Sequence, residues 1–199
     1  MGKKKRKLGI ICFQGNWHGR TLGAQMMSGN DKQKEWIGFR DKNIHHIPFP
    51  YPWELTNTTA VKFFNKSINQ LKKKVDLKKD VCGVMIETFQ GWGAVYYPKS
   101  YMQALSKLCK ENDIIISFDE MQSGFSRTGY NFGYEYYNIK PDLLCCGKAM
   151  GGGIAISGVI GKKEIMDLPE IGNMSSTNSA NPIACSAGIA VIEEILKKK

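Results

Sequence analysis

One lysine stands in an unusual setting. Lys148 follows Leu143-Leu144-Cys145-Cys146-Gly147, an apolar run with strand character, and leads through Ala149 and Met150 into Gly151-Gly152-Gly153. A lysine on a surface helix has polar neighbours, whereas this one leaves a buried strand for a loop nearly devoid of side chains. Partial desolvation of such an amine favours its neutral, nucleophilic form, which condenses with aldehydes to give a Schiff base. The competing reading is that Lys148 ends a strand and carries its ammonium out to water.

A pair of acids forms the second chemical segment. The apolar run Ile114-Ile115-Ile116-Ser117-Phe118 ends in Asp119-Glu120, followed by Met121-Gln122-Ser123-Gly124. Ligands collect at the carboxyl ends of strands in open α/β sheets, so acids placed there are candidates for a site. Consecutive residues of an extended strand point to opposite faces, which predicts that one of the two acids faces inward. Such a carboxylate can keep a ring nitrogen protonated, hold Mg²⁺ or cap the following turn.

The wider pattern resembles the class III, or ω-type, aminotransferases. The resemblance is carried by Phe13-Gln14-Gly15-Asn16-Trp17-His18-Gly19-Arg20-Thr21, Ile86-Glu87-Thr88-Phe89-Gln90-Gly91 and the block from Asp119 to Gly129. It continues through Lys140-Pro141-Asp142, Gly147-Lys148-Ala149-Met150-Gly151-Gly152-Gly153 and Ser175-Ser176-Thr177-Asn178-Ser179-Ala180-Asn181-Pro182. These blocks stand in family order and cover nearly the whole chain. The resemblance implies pyridoxal 5'-phosphate as cofactor and transamination between a primary amine or amino acid and an oxo acid. It implies that Lys148 forms the Schiff base and shuttles the proton, that Asp119 pairs with the pyridine nitrogen, and that Gln122 bonds the phenolic oxygen. Trp17 would lie against one ring face, with His18 beside it in the same loop. Thr177 would contact the phosphate from a neighbouring subunit, which implies a homodimer for the full-length protein. From the residues alone, Trp17 and His18 also read as core, Gln122 as a turn cap, and Glu87 as a structural acid that fixes neighbouring loops.

Two departures accompany the match. Many family members carry an acid after the Gln-Gly pair, where it partners a switchable arginine; here Gln90-Gly91 is followed by Trp92. A neutral indole cannot pair with a guanidinium, which leaves the amino acceptor open and recasts Trp92 as a wall of the substrate pocket. A lyase with the same cofactor, acting on a small phosphorylated or phosphonate amine, is therefore an alternative. The second departure is length. Class III members are about double the 199 residues here. The implied organisation is a basic segment, residues 1–7, ahead of a partial cofactor-binding large domain, residues 8–199, without the family's N-terminal segment or its C-terminal small domain. An inactive fragment is thus a third reading. A sheet lacking outer elements is expected to expose apolar surface and a strand edge.

Composition narrows the class. Hydrophobic residues at 42% and charged residues at 23% suit a globular fold with a real core. No apolar run approaches bilayer length and the N-terminus lacks a signal-peptide stretch, so the expectation is a cytoplasmic protein without a membrane partner. The net charge of +10 invites a nucleic-acid reading, with Lys3-Lys4-Lys5-Arg6-Lys7, Lys72-Lys73-Lys74 and Lys78-Lys79 as its basis. No helix-turn-helix, zinc-finger or stacking motif accompanies these lysines, so they read as a solvated face and nucleic acid is not expected. The six cysteines form no Cys-x-x-Cys pair and sit in apolar segments, which predicts reduced thiols and no metal. His45 and His46 are adjacent, poor partners for one metal ion, and read as part of a loop.

These residues need a scaffold. Strands are predicted at Leu8–Phe13, Ile44–Ile47, Val81–Ile86, Ile114–Phe118, Asp142–Cys146 and Ile154–Ile160. Helices are predicted at Arg20–Met27, Thr58–Lys74, Ser100–Glu111 with Ser100 as N-cap, and Ile183–Lys198. Trp36, Phe49, Tyr51 and Trp53 are predicted to pack in the core. The alternation argues an α/β fold: a mostly parallel sheet covered by helices. By resemblance this is the large domain of fold-type I pyridoxal phosphate transferases, incomplete.

Overall fold

The computed structural model describes residues 7–198. All but Lys7 of the basic segment therefore lies outside the described residues. The chain divides between Ser117 and Phe118 into two compact units.

The first unit is built on β1 (Gly9–Phe13), which pairs in parallel with β2 (Ile44–Ile47) and β3 (Val81–Glu87). Ile11, Cys12 and Phe13 are fully buried, as an apolar parallel strand covered on both faces requires. Between β1 and β2 lies the short helix α1 (Leu22–Met27). Parallel neighbours need long crossovers, and α2 (Asn57–Lys72) carries the chain from β2 toward β3, with one further turn, α3 (Leu77–Asp80). A capping box starts α2: the Thr59 amide donates to Thr56 Oγ1 (3.3 Å) and the Thr56 amide donates to Thr59 Oγ1 (2.7 Å). Ala60, Phe64, Ile68 and Leu71 recur at helical spacing and form its buried face. That face packs on α4 (Lys99–Asn112), where Phe64 meets Tyr101 edge-on at 5.1 Å. A small hairpin, β4 (Phe89–Gln90) with β5 (Val95–Tyr96), precedes α4. Beyond α4 the start of β6 (Ile115–Asp119) lies beside β3.

Three expectations change in this unit. The N-cap of α4 is Pro98, not Ser100. Proline presets a φ of −57° and has no amide to satisfy, so the helix starts earlier, while Ser100 Oγ donates to the Asn57 carbonyl (2.8 Å). His45 and His46 belong to strand β2, in register with Ile11 and Cys12, and the alternation of a strand sends their side chains to opposite faces. Phe49 is buried as predicted, but Trp36 and Trp53 are exposed, Trp53 stacking on Tyr51 at 4.8 Å.

The second unit contains the end of β6, then β7 (Leu143–Cys146) beside it and β8 (Gly158–Gly161) antiparallel to β7. The predicted strand Ile154–Ile160 is thus shorter. The Ile154 amide donates to the Gly151 carbonyl (3.0 Å) and Ile156 folds back over Gly151, so residues 154–157 close the lysine loop instead of joining the sheet. After the short helix α5 (Lys163–Met166), α6 (Pro182–Lys197) begins at Asn181, whose side chain accepts the Ile183 and Ala184 amides. Ala184 and Gly188 are its buried residues, and small side chains there let α6 approach the lysine loop. The expected exposure of apolar surface is present: Val159 and Ile160 of β8, Leu168, Ile171, Met174, and Ile183, Ile189 and Leu196 of α6 all face solvent. All six cysteines are free thiols. Among the described residues no helix is long and apolar enough to cross a membrane.

Candidate active site

Within the second unit, β6 and β7 bring Asp119 and Lys148 to the same end of neighbouring strands. The Glu120 amide donates to the Cys145 carbonyl (2.8 Å), fixing the end of β6 against the end of β7. Asp119 is 4% exposed, and its Oδ1 accepts the Met121 amide (3.0 Å). The turn-capping reading of this acid is therefore realised alongside any ligand role. Burial first, then the negative charge of Asp119, push the Cys145 thiol up to about 11.

Both acids are buried, not one as strand alternation predicted. Glu120 stands just past the end of β6, where the period of two no longer applies. Its carboxylate accepts the Gly133 and Tyr134 amides (2.8 Å each) and the Ser123 hydroxyl. Glu120 thus anchors the loop that follows β6, a structural role that sequence spacing does not reveal because both amide donors lie more than ten residues away.

Lys148 follows the competing reading, with its side chain open to water and not buried. Its side chain is exposed, on the wall of a cleft of about 1430 Å³ that it shares with Ile154, Ser157, Ser176, Asn178 and Cys185. The strand before it is buried, but the loop turns the amine outward. Lys148 holds φ at 45°, the left-handed region that non-glycine residues seldom occupy. Such strain, of order 1 kcal/mol or more, clusters at functional sites. Gly147 makes the turn possible, since a Cβ there would stand 2.7 Å from Met121 Sδ and 3.2 Å from the Ile156 carbonyl. Gln122 and Thr177 are both exposed, and the neighbours of Thr177, Ser176 and Asn178, line the same cleft.

Trp17 and His18 belong to the first unit, in the loop after β1. Trp17 is half-buried, with the Arg20 guanidinium carbon 4.8 Å from its ring centroid. Its amide donates to Glu87 Oε2 (2.9 Å), while Glu87 Oε1 accepts the Gly91 amide (3.2 Å). Glu87 is 2% exposed and ties the Trp17 loop to the β4–β5 hairpin, the structural role read for it from sequence. The His18 amide donates to Ser28 Oγ (2.8 Å). Trp92, at the hairpin tip, is exposed and lines a small cavity.

The sequence model for class-III aminotransferases matches residues 1–199, and the chain belongs to that family. An acetylornithine aminotransferase of Caldanaerobacter subterraneus is 34% identical over 197 residues, covering 98% of this chain and 45% of that protein. An isoleucine 2-epimerase of Lentilactobacillus buchneri is 31% identical over 194 residues, covering 94% and 43%. Among solved structures, an (S)-enantioselective ω-transaminase of Thermomicrobium roseum superposes with a TM-score of 0.86 at 23% identity, over 96% of this chain and 45% of that one. The chain spans less than half the length of these relatives. The fold is that of the transaminases, and pyridoxal 5'-phosphate is the cofactor the family implies.

The residues of the second unit fit that group. A buried carboxylate and a primary amine open to a cleft stand at the ends of adjacent strands, which matches a ring nitrogen that must stay protonated and an aldehyde that must be reached.

Proposed function

We propose that the protein to which this chain belongs is a pyridoxal 5'-phosphate-dependent aminotransferase that moves an amino group between a primary amine or amino acid and an oxo acid. The observation that carries the reading is the placement of exposed Lys148, in a left-handed conformation, after the strand that neighbours buried Asp119. When bound, the cofactor supplies an electron sink. Lys148 Nζ would hold the cofactor and, as a positioned general base and acid, would shuttle the proton that leaves the substrate carbon. Asp119 would hold the ring nitrogen in its protonated form, and Gln122 would donate toward the phenolic oxygen. Trp17 and His18 would be further cofactor-binding residues, and Thr177 would offer its hydroxyl to the phosphate held by a second copy.

Further parts of this reading concern the whole protein. It works as a homodimer in the cytoplasm, and residues 8–199 are the middle of a large domain completed by further sequence. The exposed apolar side chains of β8, α6 and residues 168–174 support this, because a monomer seldom leaves such a surface uncovered.

The reaction is tested with the longer polypeptide by following transfer of ¹⁵N from a labelled amino donor to an oxo acid. Release of ammonia or phosphate without transfer would move the assignment to a lyase. Exchange of the α-hydrogen without transfer would move it to an epimerase.

A further inference from the structure

Met121 stands between Asp119 and the Lys148 turn and meets each through a different atom. Its backbone amide donates to Asp119 Oδ1 (3.0 Å), while its thioether sulfur faces Gly147, the residue before Lys148. A Cβ built on Gly147 would stand 2.7 Å from Met121 Sδ, 3.2 Å from the Ile156 carbonyl and 3.3 Å from Ser157 Cβ. Met121 therefore forms one wall of a slot that admits only a glycine, and the returning residues 156 and 157 form the other.

The slot matters because of the residue that follows it. Gly147 is extended, with φ at 177°, and Lys148 then turns to a φ of 45°. A non-glycine residue keeps such a conformation only where its surroundings over-determine it. From within, the turn is held by the Met150 amide donating to the Gly147 carbonyl (3.1 Å) and the Gly152 amide to the Ala149 carbonyl (3.2 Å). From the neighbouring strand, the Glu120 amide grips the Cys145 carbonyl (2.8 Å), and one residue further on the Met121 side chain reaches Gly147. An unbranched, polarisable thioether suits this irregular gap better than a branched side chain.

The same thioether is open to chemistry. Met121 is half-buried, so a small oxidant in water reaches it. Hydrogen peroxide transfers one oxygen atom to the sulfur: the O–O bond breaks, the sulfur is oxidised by two electrons to the sulfoxide, and water leaves. The product is larger and strongly polar, in a slot with no room for a methyl group.

We propose that Met121 is a positioning residue that couples the Asp119 carboxylate to the Lys148 turn, and that oxidation of its thioether by a peroxide releases the turn. The coupling is a property of this chain by itself. Only its consequence, loss of a bound cofactor, rests on the aminotransferase reading.

The test is hydrogen exchange read by mass spectrometry on the cofactor-free protein, before and after dilute hydrogen peroxide, with each sulfoxide located by its mass. Oxidation of Met121 should speed exchange across residues 147–150, reported by the Met150 amide, by about tenfold, while the Gly133 and Tyr134 amides held by Glu120 stay protected. Met121→Leu keeps the volume without the sulfur, so it should exchange like the untreated wild type and remain so in peroxide. Met121→Gln, a polar stand-in for the sulfoxide, should exchange fast without oxidant and gives an independent reading. Unchanged exchange at residues 147–150 after Met121 is oxidised, or an equal response in Met121→Leu, would overturn the proposal. So would protection lost throughout the unit, Gly133 and Tyr134 included, or a Met121 that stays unoxidised when Met174, 82% exposed, is fully converted. With cofactor added, peroxide should abolish its retained absorption in the wild type and spare it in Met121→Leu. Failure of both chains to retain cofactor, with the exchange results intact, would count against the aminotransferase reading and leave the coupling standing.

Discussion

Residues 7–117 and 118–198 differ in where they leave apolar surface open: the first around a sealed core, at loop residues such as Trp36, Phe39, Trp53 and Trp92, the second along a strand, a helix and the segment between them. In the first region β1, α2 and α4 seal Phe13, Phe64, Ile68, Tyr101 and Leu105 almost completely from water. In the second, Leu168, Ile171 and Met174 are 75%, 107% and 82% exposed, and α6 shows solvent Ile183, Ile189 and Leu196. Lys148 lies in the second region. Polar anchoring does not follow the same division: Glu87 in the first region and Glu120 in the second are both buried and both hold backbone amides. In the second region the Glu120 carboxylate holds the loop that follows β6 through the Gly133 and Tyr134 amides.

The sharpest way to break this contrast is at Phe64. Phe64→Ala should cost about 3–5 kcal/mol, read as a lowered urea midpoint, because it empties the α2–α4 contact. A loss below about 1 kcal/mol would show that this core is not closed. Next in size, Glu120→Ala should cost about 3 kcal/mol and remove hydrogen-exchange protection at Gly133 and Tyr134, since it orphans two buried amides and a hydroxyl. Retained protection at those two amides would contradict the anchoring role.

A pH effect belongs to the first region. Burial, then the Lys34 ammonium, lower the pKa of His46, whose Nε2 lies 3.0 Å from the carbonyls of both Met27 and Ser28 and so carries the proton. With the folded value below the unfolded one of about 6.5, the unfolded chain binds the extra proton first. Stability from this site is complete above that value and declines as the pH falls toward the depressed folded value, with a slope of at most about 1.4 kcal/mol per pH unit. His46→Gln should flatten that decline in urea midpoints measured from pH 7.5 downward; an unchanged slope would assign it to another group. The smallest effect is expected at Ile171→Ser, within about 0.5 kcal/mol, with less self-association in sedimentation. A large destabilisation there would mean that the open surface is not open.

What could be read from the sequence follows the same physics. The position of Lys148 and Asp119 at strand ends was legible because apolar strands run directly into them, and α2 because Ala60, Phe64, Ile68 and Leu71 repeat at helical spacing. Glu87 was legible as a loop-fixing acid at a strand end. Glu120 was not, since its partners come from residues 133 and 134. The β4–β5 hairpin has two-residue strands, too short for alternation to register. The strand before Lys148 left its side chain open between partial burial and exposure; a left-handed turn at that residue accompanies the exposure, and no periodicity encodes such a turn. Ser100 has the right side chain for a cap, yet the backbone of Pro98 decided where α4 begins.

The central claim rests on the Lys148 amine and is tested by adding pyridoxal 5'-phosphate to the wild-type chain and to Lys148→Ala, then recording visible absorption after removing unbound cofactor. The account predicts a retained band in the wild type that the substitution abolishes, and a weakened one in Asp119→Asn. Equal retention in the wild type and Lys148→Ala, or none in either chain and none in the longer polypeptide, would contradict it.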